Sequence, residues 1–252
     1  MTKTQAEKLK KLRDKKAEDY ARAILSSPVK ASSLLKVIPF PGVVLIMGDI
    51  RNGKTGLAHE IACEMHKRYG FEAAIHLPNI RTNDKKRVQA LVPDWMAVTT
   101  RRKDWPQRAV IIYDEAAQSA HARRSQSEDA LDLDDCLAIA GQREQLILFI
   151  SHYSRKLDLN VCTSVHTIIW KQPTYAHTMW ERGEMADFTM KAFDFFKGIN
   201  GDVARKKATL ILDMKNFIFY QLNNKLPPWW SEDLSRIFKD IEISGNNRIP
   251  GY

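Results

Sequence analysis

The stretch Gly48-Asp49-Ile50-Arg51-Asn52-Gly53-Lys54-Thr55 constrains this chain more than any other. It stands between an apolar run, Val43-Val44-Leu45-Ile46-Met47, and a segment of helical composition from Gly56 to Tyr69. A buried strand, a loop punctuated by glycines and a helix, in that order, give the pattern G-x-x-x-x-G-K-[ST] its meaning as a phosphate cradle. Gly48 and Gly53 carry no Cβ, so the backbone can turn sharply and approach a phosphate closely. The loop N–H groups and the positive end of the helix dipole then converge on the β-phosphate. Lys54 reaches the β- and γ-phosphates as a point charge, and the Thr55 hydroxyl can ligate Mg²⁺. The whole stretch, Gly48, Asp49, Ile50, Arg51, Asn52, Gly53, Lys54, Thr55 and Gly56, is therefore assigned to a bound nucleotide.

A second chemical element lies about sixty residues further on. Ala109-Val110-Ile111-Ile112-Tyr113 reads as a strand buried on both faces, and Asp114-Glu115 closes it. In open α/β sheets the carboxyl ends of strands face the ligand crevice. Asp114 is placed to hold Mg²⁺, and Glu115 to orient or deprotonate an attacking water. Leu146-Ile147-Leu148-Phe149-Ile150 repeats the buried pattern and ends in Ser151-His152, two polar groups able to report on a γ-phosphate.

Around these elements the chain is expected to divide into three. Residues 1–34 form a helical arm, rich in Lys, Glu, Ala and Leu over 3–25, which packs on a neighbouring subunit, lies on nucleic acid or is simply solvated. Residues 35–173 form a core in which strands and helices alternate, which argues for one mainly parallel sheet with right-handed crossovers. Residues 174–252 are a small α+β extension: a helix from Tyr175 to Phe196, a hairpin over 209–213 and 217–221, and Pro227-Pro228-Trp229-Trp230 folding back as a plug. Two basic clusters, Lys85-Lys86-Arg87 and Arg101-Arg102-Lys103, fall in expected loops.

The formal net charge of +9 suits a polyanionic partner. Three widely spaced cysteines, Cys63, Cys136 and Cys162, give neither a disulfide framework nor a metal site and point to a reducing cytoplasm. No apolar run approaches the ~20 residues of a membrane span, so no integral membrane segment is expected.

With these motifs in view, the chain resembles the additional-strand, catalytic-glutamate class of P-loop ATPases, whose fold is RecA-like. Within that class it is similar to the FtsK–HerA superfamily of DNA translocases, conjugation pumps, viral genome-packaging ATPases and Zot proteins. The residues that carry the resemblance are GDIRNGKT, VIIYDEA and GQREQLILFISHYSRKLD with the TIIW strand after it, spanning Val43 to Pro173. The resemblance implies ATP and Mg²⁺ as cofactors, with Lys54 and Thr55 on phosphate and metal, Asp114 on the metal and Glu115 on the water. It puts Ser151 and His152 in the sensor position, where a glutamine is common, and makes Arg143 the arginine finger, with Arg123, Arg124 and Arg155 as competitors. It further implies a homo-oligomeric ring, pentamer or hexamer, acting on double-stranded DNA without reading sequence, alongside a portal or capsid protein. The expected function is an ATP-hydrolysing motor that packages a viral genome. A Zot-type assembly ATPase and a cellular HerA-like translocase are the alternatives.

Overall fold

Each apolar run that reads as continuous in the sequence divides, in three dimensions, between two cores. In the computed structural model, which describes residues 3–78, 80–114, 128–157 and 159–235, the chain runs α1 (Lys3–Leu25), β1 (Val29–Lys30), β2 (Gly42–Gly48), α2 (Lys54–Tyr69), β3 (Glu72–His76), α3 (Thr82–Gln89), β4 (Met96–Thr99) and β5 (Ala109–Tyr113). It continues with α4 (Glu128–Ile139), β6 (Gln145–Ser151), α5 (Leu159–Thr163), β7 (Thr167–Lys171), α6 (Tyr175–Trp180), α7 (Gly183–Lys197), α8 (Asp202–Lys207), β8 (Ala208–Asp213), β9 (Ile218–Asn223) and α9 (Glu232–Ser235). Successive strand side chains point to opposite faces. Val43, Leu45 and Met47 of β2 therefore join Ile147 and Phe149 against α1, α4 and α7. Val44 and Ile46 join Val110, Ile112 and Leu148 against α2 and α3.

The strands form one sheet of nine in the order β1-β9-β8-β7-β2-β6-β5-β3-β4. From β7 to β4 every pairing is parallel, while β8 and β9 are antiparallel additions beyond β7. This is an α/β fold of the RecA-like kind, with helices on both faces of a mainly parallel sheet. The strand β6 lies between β2 and β5, which seats the Ser151 end of β6 between the Gly48 and Asp114 ends. The expected hairpin forms and extends the central sheet, and β1 from the N-terminal region pairs with its outer strand.

Several local expectations are corrected. Lys85, Lys86 and Arg87 lie on the helix α3, which has neither Gly nor Pro and anchors through buried Val88. The Gln89 side chain at its end accepts from Val98 N–H at 2.9 Å and donates to the Met96 carbonyl at 2.8 Å, covering the edge strand β4. Arg102 is buried and donates to the Tyr113 hydroxyl at 3.2 Å, while Arg101 pairs with Asp104 at 2.8 Å. The helix expected over 175–196 breaks at Glu181-Arg182, because the Glu181 carboxylate turns inward to accept from Ser154 N–H at 3.2 Å and from the Ser154 hydroxyl. The end of α1 docks on this chain's own α7: Tyr20 donates to Asp187 at 2.5 Å, and Lys191 donates to the Ile24 carbonyl at 2.6 Å. Burial and that carboxylate push the Tyr20 phenol up to about 12. Trp229 and Trp230 do fold back, with both rings 5.3 Å from the buried His59 of α2. Among the described residues no helix is long and apolar enough to cross a membrane, and Cys63, Cys136 and Cys162 are not joined in a disulfide.

Candidate functional site

The loop between β2 and α2 is pinned where the sequence places its glycines. Gly48 has φ +142°, and a Cβ there would stand 1.7 Å from the Lys171 carbonyl oxygen on the neighbouring strand, so no other residue fits. Gly53 starts α2 from the left-handed region at φ +84°. The far side of the loop is tied to β7: the Gln172 carbonyl accepts from Asp49 N–H at 3.4 Å and from the Asn52 side chain at 3.1 Å. Lys54 is buried at the mouth of the loop and donates to the carbonyls of Gly48 at 3.0 Å and Asp49 at 2.8 Å. Its ammonium is thus already directed across the concavity that the loop N–H groups enclose. Gly56, in the first turn of α2, lies beneath the segment after β9, where an added Cβ would come within 2.6 Å of Leu226.

Across this cradle stand the ends of β5 and β6. The Thr55 hydroxyl donates to the Asp114 carboxylate at 2.9 Å. Two hard oxygens held this close, beside a phosphate-binding loop, fit Mg²⁺, which takes one or two protein oxygens and completes its shell with phosphate and water. Ser151 is buried and donates to the Tyr153 carbonyl at 2.9 Å, so its hydroxyl shapes the turn after β6. His152 lies with Nδ1 3.2 Å from the Gly48 carbonyl, on the cradle itself. Lys54, Thr55, Asp114 and His152, which the sequence places up to about a hundred residues apart, are therefore brought to one edge of the sheet. Glu115 lies outside the described residues, as do Arg123 and Arg124.

Arg143 is placed elsewhere. It precedes β6, at the edge of the sheet opposite the cradle, and its guanidinium donates to the Trp105 carbonyl, tying the turn before β6 to the connection before β5. Arg155 is exposed on the turn that follows β6, at the cradle edge.

Three groups at the site escaped the sequence reading. Lys171 ends β7 directly beneath the loop, with its carbonyl against Gly48 and its Cε 3.7 Å from where a Cβ on Gly53 would stand. Its ammonium is enclosed by the carbonyls of Lys206 and Ala208, both at 2.7 Å, with Asn224 at 2.5 Å and Thr209 at 3.3 Å. Burial pushes it down to about 7, while the Glu60 carboxylate pulls the other way. His177 and Glu181, from the segment after β7, close the same side of the site. The signal for His177 was available as Thr174-x-x-His177 just after a strand, the spacing of a capping pair.

Solved structures share this fold. B204, the DNA-packaging ATPase from Sulfolobus turreted icosahedral virus, superposes with a TM-score of 0.53 at 15% identity, over 74% of this chain and 98% of that chain. The genome-packaging NTPase B204 from Sulfolobus turreted icosahedral virus 2, in complex with AMPPCP, superposes with a TM-score of 0.52 at 15% identity, over 74% and 98%. Likeness at such identity establishes the fold alone. No protein-family model matches the chain, and no curated protein matches it in sequence.

Proposed function

We propose that the chain is an ATP-hydrolysing motor that moves double-stranded DNA, in the manner of a genome-packaging ATPase of the FtsK–HerA type. The hydrogen bond from Thr55 to Asp114 at 2.9 Å, closed over a loop that already holds the Lys54 ammonium, carries this reading. A nucleoside triphosphate lies with its phosphates in the loop, where helix dipole, N–H groups and Lys54 offset their charge. Mg²⁺, held by Thr55 and Asp114, would neutralise charge developing between the β- and γ-phosphates. Glu115, one residue beyond Asp114, orients the attacking water, and His152 senses the terminal phosphate from the Gly48 side.

The DNA part of the proposal draws on charge and position. The chain carries a net +9, and α3, which follows β3, presents Lys86 and Arg87 to solvent. Contacts of that kind grip phosphates without reading bases. The reading includes a homo-oligomeric ring in the host cytoplasm, docked on a portal or capsid protein, with an arginine from one subunit completing the site of the next.

The test is ATP turnover measured against DNA form and salt. Double-stranded DNA should stimulate hydrolysis at low salt, and the stimulation should fall steeply as salt rises. Absence of stimulation by any DNA at low salt would remove the translocation half. Absence of hydrolysis, together with no binding of ATP, would remove the whole.

A further inference from the structure

His177 is 3% exposed, on the short helix α6, and belongs to none of the motifs above. Its Nδ1 accepts from the Thr174 backbone N–H at 3.2 Å, and the Thr174 hydroxyl lies 2.7 Å from the same atom. A backbone N–H can only donate, so Nδ1 is the acceptor and the neutral ring carries its hydrogen on Nε2. Burial pushes the ring's pKa down, which keeps it in that neutral form at pH 7. Tyr153 lies flat on the imidazole, centroids 4.4 Å apart and planes 16° apart, fixing its direction.

Nε2 is buried and, among the described residues, has no acceptor in good hydrogen-bond geometry. The groups around the ring are the Gly48 carbonyl, which acts on it as a weak acceptor, and the charges of Asp49, Lys54 and Glu181. Buried polar groups in folded proteins are paired with few exceptions, and an exception calls for a physical account. Here the ring is held by two neighbours, and its single donor faces only the Gly48 carbonyl, which Lys54 and His152 also contact, at the mouth of a phosphate cradle.

We propose that the Nε2–H of His177 donates to an oxygen at the terminal-phosphate end of the bound nucleotide, so that His177 contacts the substrate and distinguishes triphosphate from diphosphate. The inference rests on the nucleotide reading above. Lys54, 3.0 and 2.8 Å from the Gly48 and Asp49 carbonyls, marks where the β- and γ-phosphates arrive. His152 reaches the same Gly48 carbonyl from β6 at 3.2 Å. Donors from three separate elements thus crowd onto one carbonyl, and a phosphate oxygen beside it would give the His177 hydrogen an acceptor of its own. Behind it, Glu181 binds Ser154 on the turn after β6, so the imidazole and the sensor strand are anchored to one another.

Binding of fluorescent ATP and ADP analogues to the full chain tests this, using wild type, His177→Leu, His177→Gln and Lys54→Ala. Loss of one hydrogen bond to a charged group should weaken ATP by about 10-fold or more in His177→Leu, with ADP changed less than about 3-fold. His177→Gln, whose amide nitrogen stands near the position of Nε2, should recover most of the difference. Equal losses for ATP and ADP, or no loss, would overturn the inference and leave the ring a structural support. If wild type and Lys54→Ala alike bind neither nucleotide, the nucleotide reading falls, and this inference with it.

Discussion

Acid should loosen this fold through His59. The ring is buried on α2 beside Trp229 and Trp230, its Nδ1 has no partner among the described residues, and burial pushes its pKa down from 6.5 to about 3. Such a group stays neutral in the fold but takes a proton when the chain unfolds below about pH 6.5. The unfolded state then binds more protons, so the stability it contributes is complete above that pH and is lost as the pH falls toward 3. Between pH 7 and pH 5 the loss is about 2 kcal/mol for one histidine with these two values. His76 is likewise pushed to about 3, by burial and then by the charge of Arg102, and adds a similar amount. Urea unfolding followed by tryptophan fluorescence, on wild type and His59→Leu at pH 7 and pH 5, separates the two rings. Leucine suits the apolar surroundings and cannot titrate, so the variant should lose about 2 kcal/mol less than wild type. With an m-value near 3 kcal/mol/M, that is a difference of roughly 0.7 M in how far the midpoints move. Midpoints that fall in parallel would show that His59 takes its proton inside the fold and that the two indoles do not keep water out.

Lys171 tests the opposite end of the pH scale. With its folded value near 7 and its unfolded value at 10.5, the unfolded state binds more protons between them, so stability should rise with pH across that window. Wild type should gain about 2 kcal/mol on Lys171→Met between pH 7 and pH 9, and parallel stabilities would mean that the four acceptors around Nζ hold the charge. Arg143→Ala removes the tie to the Trp105 carbonyl and should cost about 1 kcal/mol of stability in a urea titration, with turnover per folded molecule unchanged. Loss of turnover at an unshifted midpoint would instead support Arg143 as the finger.

The cradle was legible because its chemistry is local. Gly48, Gly53, Lys54 and Thr55 act through backbone angles and helix geometry set by their immediate neighbours, and the apolar runs before Gly48, Asp114 and Ser151 name the strands whose ends meet at the cradle. The parallel α/β fold followed from the alternation of those runs with helical segments. Arg102 and the Lys85–Arg87 cluster misled because charge in a sequence looks the same on a loop, on a helix or under an aromatic ring. The apolar runs also concealed which residue faces which core, since a strand covered on both sides has no polar face to give its register away.

Lys171 and Glu181 carried no sequence signal, and the Thr174-x-x-His177 spacing named a helix cap without its place at the site. Each has its meaning from partners far along the chain: Lys171 from the carbonyls that precede and open β8, His177 from Gly48 and Tyr153, Glu181 from Ser154. One-dimensional order fixes which turns and strands form, because those depend on residues within a few positions. Which buried donor meets which acceptor depends on how the sheet is stacked, and here a lysine and a histidine found their places only when β7 came to lie against β2.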